Sequence, residues 1–408
     1  MALTFQQTQL PNGLDIIAEI NPDSHSAAFG LFVKTGSRDE SLEVNGVSHF
    51  LEHMMFKGST KYGWEDVNRI FDEIGARYNA FTSQEMTAYY ANVLPEFSER
   101  AVEHLSHLLR PAIRVEDFTT EKKVILEEIA MYLDDPGHRL YERLMEAHFG
   151  PHPLSMSVLG TSESIEKMQQ PQMAEYFQRR YGPGNLIFVA TGKLDFNEVV
   201  KLAEKYMGAW PRVNAPRHQP APLYKPQRQI MTDPKLNRQY TMGMTPGPSA
   251  QDDRRFAARV LSDVIGDAEG SRFYWALVDN AIAEDAEFGF YPHDGCGSFY
   301  IALTTEPDRS DKALDIALKE LAKAKTDLKD DEVERAKNKI ASSIVLSGEV
   351  PIGRMRSIGG QWMYNKEYRS LEKDMATLNA VTTDSLRQLM IDYPFDPMTI
   401  VSLGPGEK

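Results

Sequence analysis

Cysteine is nearly missing from this chain: Cys296 is the single one among 408 residues. An intrachain disulfide is therefore excluded, and so is a zinc site built on several cysteines; the count fits a reducing compartment. A basic excess is missing too. With 45 Lys and Arg against 59 Asp and Glu, the formal net charge is −14. That argues against nucleic acid, whose phosphates need a basic face, and suits basic peptides better than acidic ones. No run of about 18 apolar residues occurs, so no membrane-spanning helix is expected. The first residues, Met1 to Thr8, show neither the basic region nor the apolar core of a signal peptide. A cytoplasmic protein is the resulting expectation. Histidine is scarce as well, at 10 residues, so any grouping of histidines is informative.

One such grouping is His49-Phe-Leu-Glu52-His53. On a helix, His49 and His53 lie one turn apart on the same face and can reach one metal ion. Glu52 falls beside that face, close enough to touch a water on the metal without ligating it. This H-x-x-E-H order is the inverse of the commoner H-E-x-x-H zinc-protease motif. Val47, Phe50, Leu51, Met54 and Met55 form an apolar stripe on the opposite side, so the helix can bury one face and offer the other to a cleft. Lys57-Gly58 marks its C-terminal stop.

Length and an apolar content of 42% fit about two domains with sizeable cores. Five prolines between Pro211 and Pro226 cannot sit inside a helix or a central strand and mark a linker. The expected division is 1–210, a metal-bearing domain; 211–226, a Pro-rich linker; and 227–408, a similar second domain without its own metal site. Strands are expected at 14–20, 27–34, 78–81, 87–94 and 185–191, with helices at 64–74, 96–149, 164–180 and 197–207. The second half repeats this pattern, with strands at 229–231, 239–244, 287–291, 298–304 and 398–402. Its helices are expected at 251–265, 271–278 and 308–364. The fold class is α+β: two similar α/β-layer domains, each a mostly antiparallel sheet packed against helices.

Two histidines and a water leave one zinc position open, which catalytic sites usually fill with a third protein ligand. Glu121 and Glu128 lie two helical turns apart and project from nearly the same face, whereas Glu127 points about 100° away. His104 and His107 are read as a surface or partly buried pair. His49-x-x-Glu52-His53 followed by a Glu-x6-Glu pair ending at Glu128 resembles the pitrilysin/insulinase family of inverzincin metallopeptidases. Asn79-Ala80-Phe81-Thr82, Leu159-Gly160-Thr161 and Tyr181-Gly-Pro-Gly-Asn185 resemble further landmarks of its first domain. The length is similar to the short two-domain branch that includes mitochondrial processing peptidase and bacterial relatives.

The resemblance implies a zinc-dependent endopeptidase acting on unfolded peptides or a peptide precursor inside a closed dimer chamber, with one zinc ion per chain. It implies His49, His53 and Glu128 as the zinc ligands, Glu52 as the general base and Glu121 as a carboxylate supporting the site. An extended peptide would add to the strand carrying Asn79, Ala80, Phe81 and Thr82. Where family members carry a substrate-gripping arginine and tyrosine in the second domain, this chain has Val278 and Asp285. That departure implies a related partner subunit supplying the grip, a heterodimer in preference to a homodimer, with Arg272, Tyr274 and Tyr291 as local substitutes. The competing reading is a zinc-holding peptide-binding or assembly subunit with little activity unless paired.

Overall fold

The computed structural model describes residues 3–406, which form two compact units. The first contains the chain as far as Ala130, Met156–His218 and Leu346–Arg369; the second contains Met131–Ser155, Gln219–Val345 and the chain from Ser370 onward.

The first unit is built on a sheet of β1 (Thr4–Gln9), β2 (Asp15–Ile20), β3 (Ala27–Val33), β4 (Arg77–Thr82), β5 (Thr87–Val93) and β6 (Leu186–Gly192). Their order is β1-β2-β6-β3-β5-β4. Every neighbouring pair is antiparallel except β2 and β6. The central strands β3 and β6 are buried along their whole length and read as continuous apolar runs, as strands covered on both faces do. By contrast, β4 pairs with β5 alone and ends the sheet.

The second unit carries β7 (Arg228–Thr232), β8 (Gln239–Gly247), β9 (Asp285–His293), β10 (Cys296–Thr305) and β11 (Thr399–Gly404), in the order β7-β11-β8-β10-β9. Again one pair, β7 with β11, is parallel and the rest antiparallel. Matching β2 with β7, β6 with β11, β3 with β8, β5 with β10 and β4 with β9 superimposes the two orders. Repetition is therefore a matter of topology, and the first sheet has β1 in addition.

The compact units depart from a contiguous division into 1–210, 211–226 and 227–408. Helix Pro351–Asn365, late in the sequence, belongs to the first unit, where Met355, Ile358, Trp362 and Met363 pack on Ile17, Phe32, Tyr90 and Val189. Helix Pro136–Phe149, from the first half, belongs to the second, where Leu140, Leu144 and Phe149 pack with Met244, Val401 and Leu403. Periodicity shows that a helix has an apolar face but not which sheet that face will cover. Gly359 lies at the first of these crossings: a Cβ there would sit 2.6 Å from the Phe32 ring, so only hydrogen fits. The segment 211–226 has no regular structure. Two residues near its middle are tied separately, Arg217 to Asp39 at 2.7 Å in the first unit and the Pro220 carbonyl to His152 Nε2 at 3.1 Å in the second.

Other differences from the sequence reading are local. The helical run 96–149 is three helices, Ser98–Leu108, Val115–Leu133 and Pro136–Phe149, interrupted near Pro111 and Pro136, where proline cannot continue a helix. The run 308–364 is likewise three: Ser310–Asp327, Asp330–Gly348 and Pro351–Asn365. The helix expected at 271–278 contains a π-helical turn over Tyr274–Val278. Strand β1 and the helices Leu371–Asn379 and Thr383–Asp392 were not legible in the sequence. β1 is largely exposed and so lacks an apolar alternation.

Candidate metal centre

The metal helix runs from Val47 to Met55. Its apolar stripe (Val47, Phe50, Leu51, Met54 and Met55) is fully buried, which fixes the helix's rotation and turns the histidines the other way. Gly58, at φ +96°, follows the end of the helix as expected. A second helix, Val115–Leu133, buries Phe118, Ile125 and Ile129 and carries Glu121 and Glu128. Phe50 and Phe118 stack between the two helices, centroids 4.8 Å apart.

These two helices bring His49, His53 and Glu128 together, one donor atom from each lying within 4.8 Å of the others. Nε2 of His49 is 3.8 Å from Glu128 Oε1, and Nε2 of His53 is 3.6 Å from Glu128 Oε2. Tetrahedral zinc with ligands at about 2.0–2.2 Å places its donors roughly 3.4 Å apart, so the two histidine–Glu128 separations need to close by only a few tenths of an ångström, within a set of three donors spanning up to 4.8 Å. Among the described residues this is the one group of three or more His, Cys, Asp or Glu placed to hold a metal.

Donor chemistry fits zinc as well. His53 Nδ1 lies 2.9 Å from Glu121 Oε1. That bond puts the ring proton on Nδ1 and leaves the Nε2 lone pair facing Glu128. Glu121 is 4% exposed and its other oxygen is 2.5 Å from Lys57 Nζ. Burial alone would raise the Glu121 carboxyl, but His53 and Lys57 hold it below the usual range. Desolvation pulls the His53 ring down, yet its bond to Glu121 and the charges of Glu128, Glu121 and Glu52 carry it above its ordinary value. The pocket thus attracts positive charge. Burial, helped by His53, holds His49 down to about 4, so its ring is neutral and able to ligate.

Glu52 projects beside this cluster. Its Oε2 accepts a 2.5 Å hydrogen bond from the Thr82 hydroxyl at the end of β4. Burial pushes its carboxyl above the usual range, opposed by Thr82 and His53 and reinforced by Glu128. Of the other strand residues, Asn79 accepts at Oδ1 from the Ala80 N–H at 2.8 Å, and Asn79, Ala80 and Phe81 lie along the edge strand β4. In the second unit, Arg272 is bound to Asp327 and Glu332 at 2.5 and 2.7 Å, and Tyr291 stacks on Tyr300 at 4.4 Å. Val278 packs against that unit's core, and Asp285 opens β9. His104 is a core histidine, its Nε2 on the Val67 carbonyl at 2.8 Å.

Three contributors were not found from the sequence. Lys57, read only as part of a helix stop, holds Glu121. Thr82, singled out for its strand, holds Glu52. Glu40 lies upstream of the metal helix and accepts from the backbone N–H groups of Gly46 and Ser48, both at 2.7 Å. Desolvation pushes its carboxyl up to about 7, against the donors of Ser48, Asn45 and Gly46. A carboxylate seven residues before the start of a helix carries no spacing signal of its own.

The insulinase (peptidase family M16) pattern matches residues 15–162, and the peptidase M16 inactive-domain pattern matches residues 167–340. An uncharacterized zinc protease of Streptomyces coelicolor is 30% identical over 415 aligned residues, covering 98% of this chain and 90% of that protein. Another from Bacillus subtilis is 28% identical and covers 93% of each. A protease from Helicobacter pylori shares the fold with a TM-score of 0.91 at 19% identity, over 99% of this chain and 100% of that one. A peptidase M16 inactive domain from Pseudomonas fluorescens gives 0.92 at 20% identity, over 99% and 98% of the two chains. With the metal motif, the two-unit topology and this breadth of likeness in hand, the chain belongs to the insulinase family of peptidases, peptidase family M16.

Proposed function

We propose that this chain is a zinc-dependent endopeptidase that hydrolyses unfolded peptides or a peptide precursor. The observation that carries the reading is the convergence of one donor atom each from His49, His53 and Glu128 within 4.8 Å, beside a carboxylate that does not join them. Zinc, when bound, supplies a Lewis acid that polarises the scissile carbonyl and acidifies water. Glu52 accepts the proton of the attacking water and passes it to the leaving amine. Its Oε2 is taken by Thr82, which leaves Oε1 for that transfer. Burial keeps the carboxyl basic.

Substrate adds to the side of β4 away from β5, whose backbone N–H and C=O groups hold an extended backbone irrespective of side chains. Asn79, Ala80, Phe81 and Thr82 form this docking strand, and the same strand orients the base through Thr82. In this reading a related subunit closes the chamber and supplies the grip that Val278 and Asp285 do not, and each chain holds one zinc ion. A fluorogenic peptide assay tests the proposal. Activity of the chain, alone or with a related subunit, should disappear with chelator and return with zinc. Undiminished cleavage in a protein shown to be zinc-free would refute it. Stoichiometric zinc without cleavage in either state would leave the zinc-holding, peptide-binding subunit as the better reading.

A further inference from the structure

The two metal-facing histidines are held in different ways. His53 has its Nδ1 on Glu121 at 2.9 Å, so a side chain fixes its ring. His49 has no such partner among the described residues: its Nδ1 is buried and makes no hydrogen bond to them. Its ring lies edge-on to that of His53 at 4.8 Å, and its place on the helix is set by the backbone of the first turn. That turn cannot be capped by its own N-cap residue. Gly46 occupies that position at φ +91°, and a Cβ there would lie 2.5 Å from the Leu159 carbonyl oxygen. The N–H groups that a helix leaves unpaired at its start must therefore be satisfied from elsewhere.

Glu40 satisfies them. Oε2 accepts from Gly46 N at 2.7 Å and from Asn45 Nδ2 at 2.9 Å, while Oε1 accepts from Ser48 N at 2.7 Å. Both oxygens are thus committed to the turn that ends at His49, and a negative charge at a helix N-terminus is favourable. The same turn is pinned laterally, with the Ser48 hydroxyl 2.8 Å from the Tyr176 hydroxyl and that hydroxyl 2.6 Å from Thr35 Oγ1. The adjacent Asp39 is held by Arg180 at 2.9 Å and by Arg217, so the loop delivering Glu40 is anchored.

We infer that Glu40 is the positioning residue for His49, setting through the first turn of the metal helix what Glu121 sets for His53 through its ring. The inference rests on His49, His53 and Glu128 being a metal site. It does not make Glu40 a catalytic residue, since it touches neither metal nor substrate.

The test is zinc affinity, measured on metal-free full-length chain by competition with a chromophoric chelator at about pH 8, where the carboxyl is ionised. Visible spectra of the cobalt-substituted proteins report ligand geometry in parallel. Glu40→Gln, which keeps the volume but loses the charge and one acceptor, and Glu40→Ala should each bind zinc at least about tenfold more weakly than wild type. Their cobalt bands should shift. Near-UV circular dichroism establishes that each variant is folded, and Glu40→Gln carries the test should Glu40→Ala not fold. A folded variant with affinity within about twofold of wild type and a superimposable cobalt spectrum overturns the inference while leaving the metal site standing. Wild-type chain that takes up no zinc overturns the metal reading, and the inference with it.

Discussion

The Nδ1 atom of His53 sits 2.9 Å from Glu121 Oε1, and Glu121 in turn reaches Lys57 through its other oxygen. The His53 ring is thus locked by a buried carboxylate that is itself locked by a cation. Glu121→Ala should weaken zinc binding by about 10- to 100-fold, measured by chelator competition, and should leave a buried ammonium-facing gap that lowers stability. Unchanged affinity would remove Glu121 from the site.

Thr82 offers a second check, because it joins the edge strand to Glu52. Thr82→Val keeps the shape and deletes the hydroxyl that Glu52 accepts from. Zinc content should stay at the wild-type level while kcat/KM falls about tenfold, the cost of one lost orienting hydrogen bond in a buried site. Thr82→Ser should recover most of the loss. A variant that loses zinc instead would show that Thr82 supports the fold and not the base.

Two adjacent glycines should respond in opposite directions. A Cβ at Gly359 meets Phe32 at 2.6 Å, whereas one at Gly360 meets nothing within 4 Å. Gly359→Ala should cost about 1–3 kcal/mol by overpacking the crossing of its helix on β3. Gly360→Ala should be neutral or stabilise by about 0.5–1 kcal/mol, since alanine is the better helix former. Urea denaturation of the two variants decides it; equal effects would contradict the close approach.

Acid sensitivity is expected from the second unit. His148 is buried against the sheet, with Nε2 3.1 Å from the Ser298 hydroxyl. Burial, with the nearby His293, depresses it to about 3. A depressed histidine is neutral in the fold but takes a proton in the unfolded chain below its ordinary value near 6.5. Stability is therefore intact above that value and declines as pH falls from 6.5 towards 3. At pH 5 the loss from this group is on the order of 2 kcal/mol. His148→Gln should show a correspondingly smaller drop between pH 7.5 and pH 5 in denaturant titrations; an equal drop would assign the acid sensitivity to other groups.

What the sequence disclosed depended on how the chain places each residue. His49, Glu52 and His53 share one short helix, so spacing alone aligns them. Glu121 and Glu128 share another, so their common face was legible, although only the packing of Phe50 on Phe118 brings that face to the histidines. The central strands β3 and β6 were legible because each is a mostly apolar run buried along its length. Glu40 and Lys57 stayed hidden: each acts across a loop or between helices, and no periodicity marks such a contact. The assignment of helix Pro351–Asn365 to the first sheet was hidden for the same reason, because an amphipathic pattern names a buried face but not its partner.

The central claim is that Glu52 does chemistry beside a metal it does not bind. Glu52→Gln tests it most directly, with zinc content and peptide cleavage measured on the same preparation, together with any subunit the wild type needs. The account predicts wild-type zinc, one ion per chain, and cleavage reduced by about 10²- to 10⁴-fold. A zinc-loaded Glu52→Gln protein that cleaves at a near wild-type rate would contradict it.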